Sequence, residues 1–367
     1  MRNFVRPATA VACACAALFS SAPVRAQGKI EIYGVLDEGI EHVNNIGKAR
    51  ASSWRSSAGY LATSFWGVRG EEDLGGGMKA FFDLESGFGL DTGATALSRQ
   101  WGRGAFVGLS GDFGKVTLGR QYTMRFYAQQ PLNMFGTGSQ SLGIFDNGFT
   151  NPRVDNAISY MLNKGGFQGG VELSFGRDSQ NGGTNAAANC PGETIPSKEC
   201  REYSWVLNYS DKNWGVVSSF ERDYGGMVGT FAGLTSPDLS DSRLNLGAWY
   251  RFGETKISAG LIKRDQEGLA IPKSNLYFMM ASTPLTHAIT LTAQLAHQKY
   301  ENSANKASQF ALRGLYAFSK KTRVYLTASY VRNDGALSLP ATTAQPATTP
   351  LPGSSQLAIT TGILLAF

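Results

Sequence analysis

Apolar and polar residues alternate at period two along most of the chain after Gln27. Met78, Ala80, Phe82 and Leu84 interleave with Lys79, Phe81, Asp83 and Glu85. Leu244, Leu246, Ala248 and Tyr250 interleave with Arg243, Asn245, Gly247 and Trp249. Ile289, Leu291, Ala293 and Leu295 do the same with Thr290, Thr292 and Gln294, and the pattern recurs at 171–176 and 202–209. Period two sends one set of side chains to each face of a strand. No 3.6-residue pattern is sustained, and no run of 18 apolar residues marks a helix able to span a bilayer. The alternation predicts sixteen strands, beginning near Lys29, Ser64, Met78, Gly104, Val116, Asn156, Gly169, Glu202, Gly215, Asp241, Thr255, Lys273, Ala288, Ser308, Thr322 and Gln356.

A soluble sandwich alternates in the same way, so the connections and the aromatics have to decide. Short polar turns stand at "EEDLGGG", "SGDFGK", "LNKGGF", "SDKNWG", "FGET" and "FSKKT", and longer irregular segments lie between them at 44–62, 123–152, 178–201, 223–240 and 334–355. Aromatics bound the apolar faces: Tyr203 with Tyr209, Tyr250 with Phe252, Phe310 with Phe318, and Tyr330. Turns short at one end and long at the other, with aromatic girdles, are the signature of an outer-membrane barrel. The length agrees. Removing 26 residues from 367 leaves 341, or about 21 per strand and connection for sixteen strands of ~10 residues each. A barrel of that size has a lumen too wide for side chains to fill. The predicted fold is an all-β, sixteen-stranded antiparallel transmembrane barrel over 27–367, enclosing a pore.

Residues 1–26 read as a secretory signal peptide. Arg2 and Arg6 are followed by an apolar stretch from Ala8 to Phe19 and by Val24-Arg25-Ala26 before Gln27. Ala10 stands where a lipoprotein signal wants Leu, so Cys13 and Cys15 do not make a lipid anchor. Without this leader the formal charge of +6 falls to +3, because Arg2, Arg6 and Arg25 leave and no acid does. The basic balance therefore does not indicate nucleic acid. Charged residues are only 17% and Gly numbers 44, which suits a barrel with many turns. Cys190 and Cys200 lie in a Gly/Asn/Pro-rich stretch of an exported chain, and a local disulfide is expected there. His42, His287 and His297 are scattered, so no metal site or cofactor is predicted. His297 shares the lipid-facing phase of Ile289 and Leu291, and Gly75-Gly76-Gly77 lacks the Lys-Ser/Thr of a phosphate loop. No catalytic constellation emerges.

Five motifs then occur in order. They are "IEIYGVLDEGIEHVN" at 30–44, "FWGVRGEEDLGGGMKAFFDLESGFG" at 65–89, "GRGAFVGLSGDFGKVTLGRQ" at 102–121, "RVDNAISYMLNKGGFQGG" at 153–170 and the terminal Phe367. Together they resemble the general porins of β-proteobacteria, the Burkholderia, Bordetella and Comamonas type. The resemblance implies a homotrimer in the outer membrane, in contact with its lipid and lipopolysaccharide. Each barrel's third loop would fold inward to narrow the pore. It also implies that Phe367, closing a strand with Leu357, Ile359, Ile363 and Leu365 outward, is the signal read by the outer-membrane assembly machinery. Two positions depart from the family pattern. Leu364-Leu365 replaces an Arg-His pair near the end, and Phe65 replaces an arginine of the constriction.

The third loop falls at 123–152, where Asp146 is the sole carboxylate between Asp112 and Asp155 and Arg125 is the only base. Arg103, Arg120 and Arg153 flank it. By resemblance Arg103 and Arg153 are wall residues facing the loop, and Arg120 leads into it. Guanidinium groups opposite a nearly neutral loop would focus a positive field in a narrow passage. The alternative is that these arginines pair with lumen acids such as Glu85 or Glu172 and stiffen the wall. The function expected is passive diffusion of small hydrophilic solutes and ions with a mild anion preference. A channel specific for one solute, such as a small carboxylate, is the second reading, and a plugged structural barrel the third.

Overall fold

The computed structural model describes residues 28–146, 149, 152–177, 190, 193, 198–226 and 233–367. The predicted leader lies outside the described residues, as does most of the stretch before Cys200. Seventeen strand segments follow one another. The first nine are β1 (Lys29–Ile46), β2 (Ala51–Ala58), β3 (Phe65–Gly75), β4 (Met78–Gly87), β5 (Gly104–Gly111), β6 (Gly114–Tyr122), β7 (Arg153–Lys164), β8 (Phe167–Ser174) and β9 (Glu202–Ser210). The rest are β10 (Trp214–Tyr224), β11 (Ser240–Phe252), β12 (Thr255–Gln266), β13 (Lys273–Pro284), β14 (Ile289–Tyr300), β15 (Lys306–Ala317), β16 (Thr322–Asp334) and β17 (Ser355–Ala366). Every pairing is antiparallel, and β17 returns to β1 from Val35↔Ala366 to Val43↔Ala358, which closes the sheet. β1 pairs with β2 along its second half and with β3 along its first. Those two segments share one position, so the seventeen segments build the predicted sixteen-stranded barrel.

The barrel is inside-out relative to a water-soluble protein. Ile32, Leu118, Val171, Leu207, Leu295, Leu326 and Ile363 are exposed on its outer face. Glu41, Ser204, Asn245, Gln294, Gln309 and Thr360 are buried inside. A closed ladder leaves no backbone edge to meet hydrocarbon, which is the condition for crossing a membrane with strands. Tyr209, Tyr250, Phe252, Tyr277, Phe310, Tyr316, Phe318 and Tyr330 stand on the outer face as the predicted girdles. Gly75, Gly76 and Gly77 carry φ of +81°, +61° and +78°, a left-handed run only glycine adopts without strain. This is a tight turn between β3 and β4. At the seam, Phe367 N donates to Gly34 O at 3.1 Å, and its ring lies over that glycine, where a Cβ would meet Cζ at 2.5 Å.

Two segments differ from the sequence expectation. The stretch 44–62 is not a long loop, because β1 runs to Ile46, turns tightly, and returns as β2. Its short polar residues hid the strand. Arg55 points inward to Glu41 at 2.6 Å, while Trp54 faces outward against His42. The break comes later, at 59–64, where the chain buckles inward. Leu61 N and Ala62 N donate to Asp37 Oδ2 at 2.6 and 2.8 Å, and Tyr325 Oη donates to Oδ1 at 2.6 Å. Residues 88–103 form a long connection that the turn signals did not mark, and those at 267–272 and 301–305 are short. Cys190 and Cys200 are joined by a disulfide, with Cα atoms 5.0 Å apart and Leu234 packed against it.

Candidate functional site

The third loop leaves β6 at Tyr122 and turns into the lumen. A short helix, α1 (Met124–Gln129), forms first, and Pro131 follows its end. Backbone polar groups inside a barrel need partners as much as buried ones elsewhere. The loop finds them strand by strand. Met124 N, in the first turn of the helix, donates to Ser204 Oγ on β9 at 3.2 Å, and Asn208 Nδ2 donates to Tyr127 O at 3.1 Å. Lys256 Nζ and Ser258 Oγ on β12 each donate at 2.6 Å, to Pro131 O and Leu132 O. Arg313 on β15 donates to Phe135 O at 2.9 Å and lies over that ring at 4.1 Å. Gln140 Nε2 donates to Thr360 Oγ1 on β17 at 2.8 Å and to Glu41 Oε1 on β1 at 3.2 Å. The loop thus follows the inner wall from β9 round to β1.

An apolar seat holds it there. Leu132, Phe135, Leu142, Ile144, Phe145 and Phe149 pack on inward-facing Val217, Trp249, Ile262, Leu276, Phe278 and Met280. β13 is accordingly apolar on both faces, one toward lipid and one toward the loop. At the far end, Ser139 N donates to Gly59 O at 3.1 Å, which ties the loop to the inward break. Gly138 makes that approach possible, since a Cβ there would stand 2.1 Å from Tyr60 O. Thr343 N donates to Ser139 O at 2.8 Å, so the 335–354 connection also folds down onto the third loop.

Ionic anchors complete the attachment. Asp146 Oδ2 accepts from Arg125 at 3.2 Å and from Arg243 Nε on β11 at 2.9 Å. Arg125 reaches Glu221 on β10 at 3.2 Å, and Arg243 also meets Asp223 at 3.4 Å and Asp241 at 2.9 Å. All are buried. The sequence expectation set Asp146 across the lumen from Arg103 and Arg153. The structure instead seats it against the β11 wall, where it fastens the loop. The signal for these partners was present in the sequence: Glu221, Asp223, Asp241 and Arg243 all occupy the inward phase of their strands.

The other predicted residues gather on the wall between β3 and β7, where Arg120 and Arg153 are buried. The Arg103 guanidinium lies 4.1 Å over the Phe65 ring and 3.3 Å from Glu85. Arg153 Nε donates to Arg103 O at 2.7 Å, and its guanidinium covers the Tyr122 ring at 4.2 Å while bonding the Tyr122 hydroxyl. Tyr122 stacks on Phe126 of the loop with centroids 3.8 Å apart. Arg120 donates to Gly102 O at 2.7 Å and to Asp155 at 2.6 Å, and Asp155 also holds Arg99 at 2.7 Å. Pairing with Glu85 is the stiffening contact the sequence offered as an alternative. Glu172 instead accepts from Ser204 at 3.4 Å. Even so, among the described residues four arginines (99, 103, 120 and 153) stand against two carboxylates (85 and 155). Tyr122, Asp155 and Arg99 belong to the cluster and were not singled out from the sequence.

Known proteins share this fold. The profile of the Gram-negative porin family matches residues 8–336. Outer membrane porin protein 32 of Delftia acidovorans is 30% identical over 345 residues, spanning 89% of this chain and 90% of that protein. An outer membrane porin protein of Bordetella pertussis is 26% identical over 365 residues, 89% of this chain and 94% of its own length. Among solved structures, an anion-selective porin from Comamonas acidovorans superposes with a TM-score of 0.75 at 25% identity, over 93% of this chain and 100% of that one. A trimer form of OmpT from Vibrio cholerae reaches 0.64 at 15% identity, covering 93% of this chain and 99% of that chain, a likeness of fold alone.

Proposed function

The chain belongs to the Gram-negative porin family, and on that premise we propose how its pore selects among solutes. It is an outer-membrane porin through which small hydrophilic solutes diffuse passively. The finer reading is a mild preference for anions. One observation carries it: Arg99, Arg103, Arg120 and Arg153 gather on the wall between β3 and β7, whereas the loop's own acid, Asp146, is tied to Arg125 and Arg243. Asp146, Glu221, Asp223 and Asp241 are engaged by Arg125, Arg177, Arg243 and Arg264, whereas the wall cluster holds more arginines than carboxylates among the described residues. Low-dielectric walls focus such a field. The preference stays mild because Phe65 stands where a further arginine is usual and Glu85 and Asp155 offset half of the charge. The neighbour from Comamonas acidovorans is itself anion-selective, which supports this sign. A homotrimer is part of the proposal, supported by the sequence resemblance and by the trimer form of the Vibrio neighbour.

The relatives are channels. A solute-specific channel is separated from a general one by saturation. Single-channel conductance should rise in proportion to the concentration of chloride, acetate or succinate alike. Saturation or block by one carboxylate, with the others unaffected, would transfer the assignment to a specific channel.

A further inference from the structure

The outer face carries a feature that conduction does not use. On β12 to β16, alternate residues point outward in a fixed register: Lys263 pairs with Asn275, Asn275 with Lys299, Lys299 with Lys306, and Lys306 with Asp334. One step nearer the membrane centre lie Tyr277, His297, Ser308 and Arg332, and one step further Met279, Leu295, Phe310 and Tyr330. The lysine row therefore sits just above the aromatic girdle, at the same end as the third loop, which is the outer-leaflet end.

Its charges are not balanced by the protein. Lys263, Lys273, Lys299, Lys306 and Arg332 are five cations against three carboxylates, Asp265, Glu301 and Asp334. Asp265 is engaged with Lys273 at 3.5 Å, and Asp334 with Arg332 at 3.8 Å. Glu301 accepts from Asn275 at 3.1 Å. Among the described residues, Lys263, Lys299 and Lys306 form no ion pair, and all three are exposed. Lys299 and Lys306 stand directly opposite one another on adjacent strands, an arrangement of like charges that costs stability unless an anion lies between them. The girdle beneath them is the depth at which lipid headgroups begin. No comparable set of outward cations occupies the described outer face of β1 to β6.

We propose that this row binds a phosphorylated headgroup of the outer-leaflet lipid. Lys299 and Lys306 would flank one phosphate, Lys263 would reach the same headgroup from β12, and Tyr277, Phe310 and Tyr330 would meet its acyl chains. Anionic headgroups attract basic residues at this depth with an energy that corresponds to roughly a five-fold change in affinity per charge. The test is native mass spectrometry of the purified trimer with bisphosphorylated lipid A and with the same lipid A stripped of its phosphates. Lys299→Gln/Lys306→Gln should bind the phosphorylated lipid roughly 30-fold more weakly than the unaltered protein. Lys299→Arg/Lys306→Arg should retain binding. Lys320→Gln/Lys321→Gln, at the opposite rim, should leave it unchanged, and conductance should be unchanged in all three variants. The proposal is overturned if the Lys299→Gln/Lys306→Gln protein binds as the unaltered one does. It is equally overturned if dephosphorylated lipid binds as well, or if the opposite-rim variant loses as much.

Discussion

Replacing Arg243 with Ala should widen the pore. Its guanidinium is the hub to which Asp146 of the third loop and Asp223, Asp241 and Glu221 of the wall converge, with the nearest contacts at 2.9 Å. Removing one partner of a buried pair costs about 3–5 kcal/mol, because the other charge is left uncompensated. Here four carboxylates would share Arg125, Arg177 and Arg264. The sixteen-stranded ladder does not depend on that hub, so the cost falls on the loop, which opens locally while the barrel stays closed. Single-channel conductance should rise, larger uncharged solutes should pass, and the barrel should still resist detergent before heating. The apolar seat under Phe135 and Phe278 sets a limit, since it holds the loop's middle. Unchanged conductance together with an unchanged solute-size limit would show that this seat alone fixes the loop.

The second large effect is on ion choice. Arg103→Gln/Arg153→Gln removes two positive charges from the wall cluster, while Gln retains a donor for the Arg103 carbonyl and the Tyr122 hydroxyl. The ratio of anion to cation permeability should fall, with conductance changed modestly. Arginine stays charged at any working pH, so the unaltered protein's preference should be flat between about pH 5 and 9. Salt should weaken it, because the screening length drops from ~10 Å at 0.1 M to ~3 Å at 1 M. Asp146→Asn belongs to a different category. Since Asp146 is held by Arg125 and Arg243 beneath the loop, its loss should resemble the Arg243 variant more than a change of filter. A double Gln variant with unaltered permeability ratio at about 0.1 M salt, where screening is weak, would make these arginines structural.

The barrel was legible because its two solvents differ. Lipid on one side and water on the other impose alternation, and β11 follows it over 241–248 and β14 over 289–295. The pattern weakened where a strand meets neither solvent on its inner face. β13 reads as an apolar run, because Leu276, Phe278 and Met280 meet the third loop instead of water. β2 was missed for the opposite reason: "ASSWRSSA" is polar on both faces, and its place is fixed by the Arg55–Glu41 contact and by pairing with β1. The site was half legible. Motifs located Phe65, Arg103, Arg120 and Arg153, and the structure gathers them. The placement of Asp146 could not be read, because a loop's sequence does not say which wall it lies against. That depends on Ser204, Lys256, Arg243 and Arg313, contributed by four different strands.

The proposed anion preference of the arginine-lined pore is tested most directly by the reversal potential in a planar bilayer, under a gradient of potassium chloride. The sign should report chloride as the more permeant ion, with a magnitude well short of ideal selectivity. A cation-selective sign, or no current at all, would contradict it.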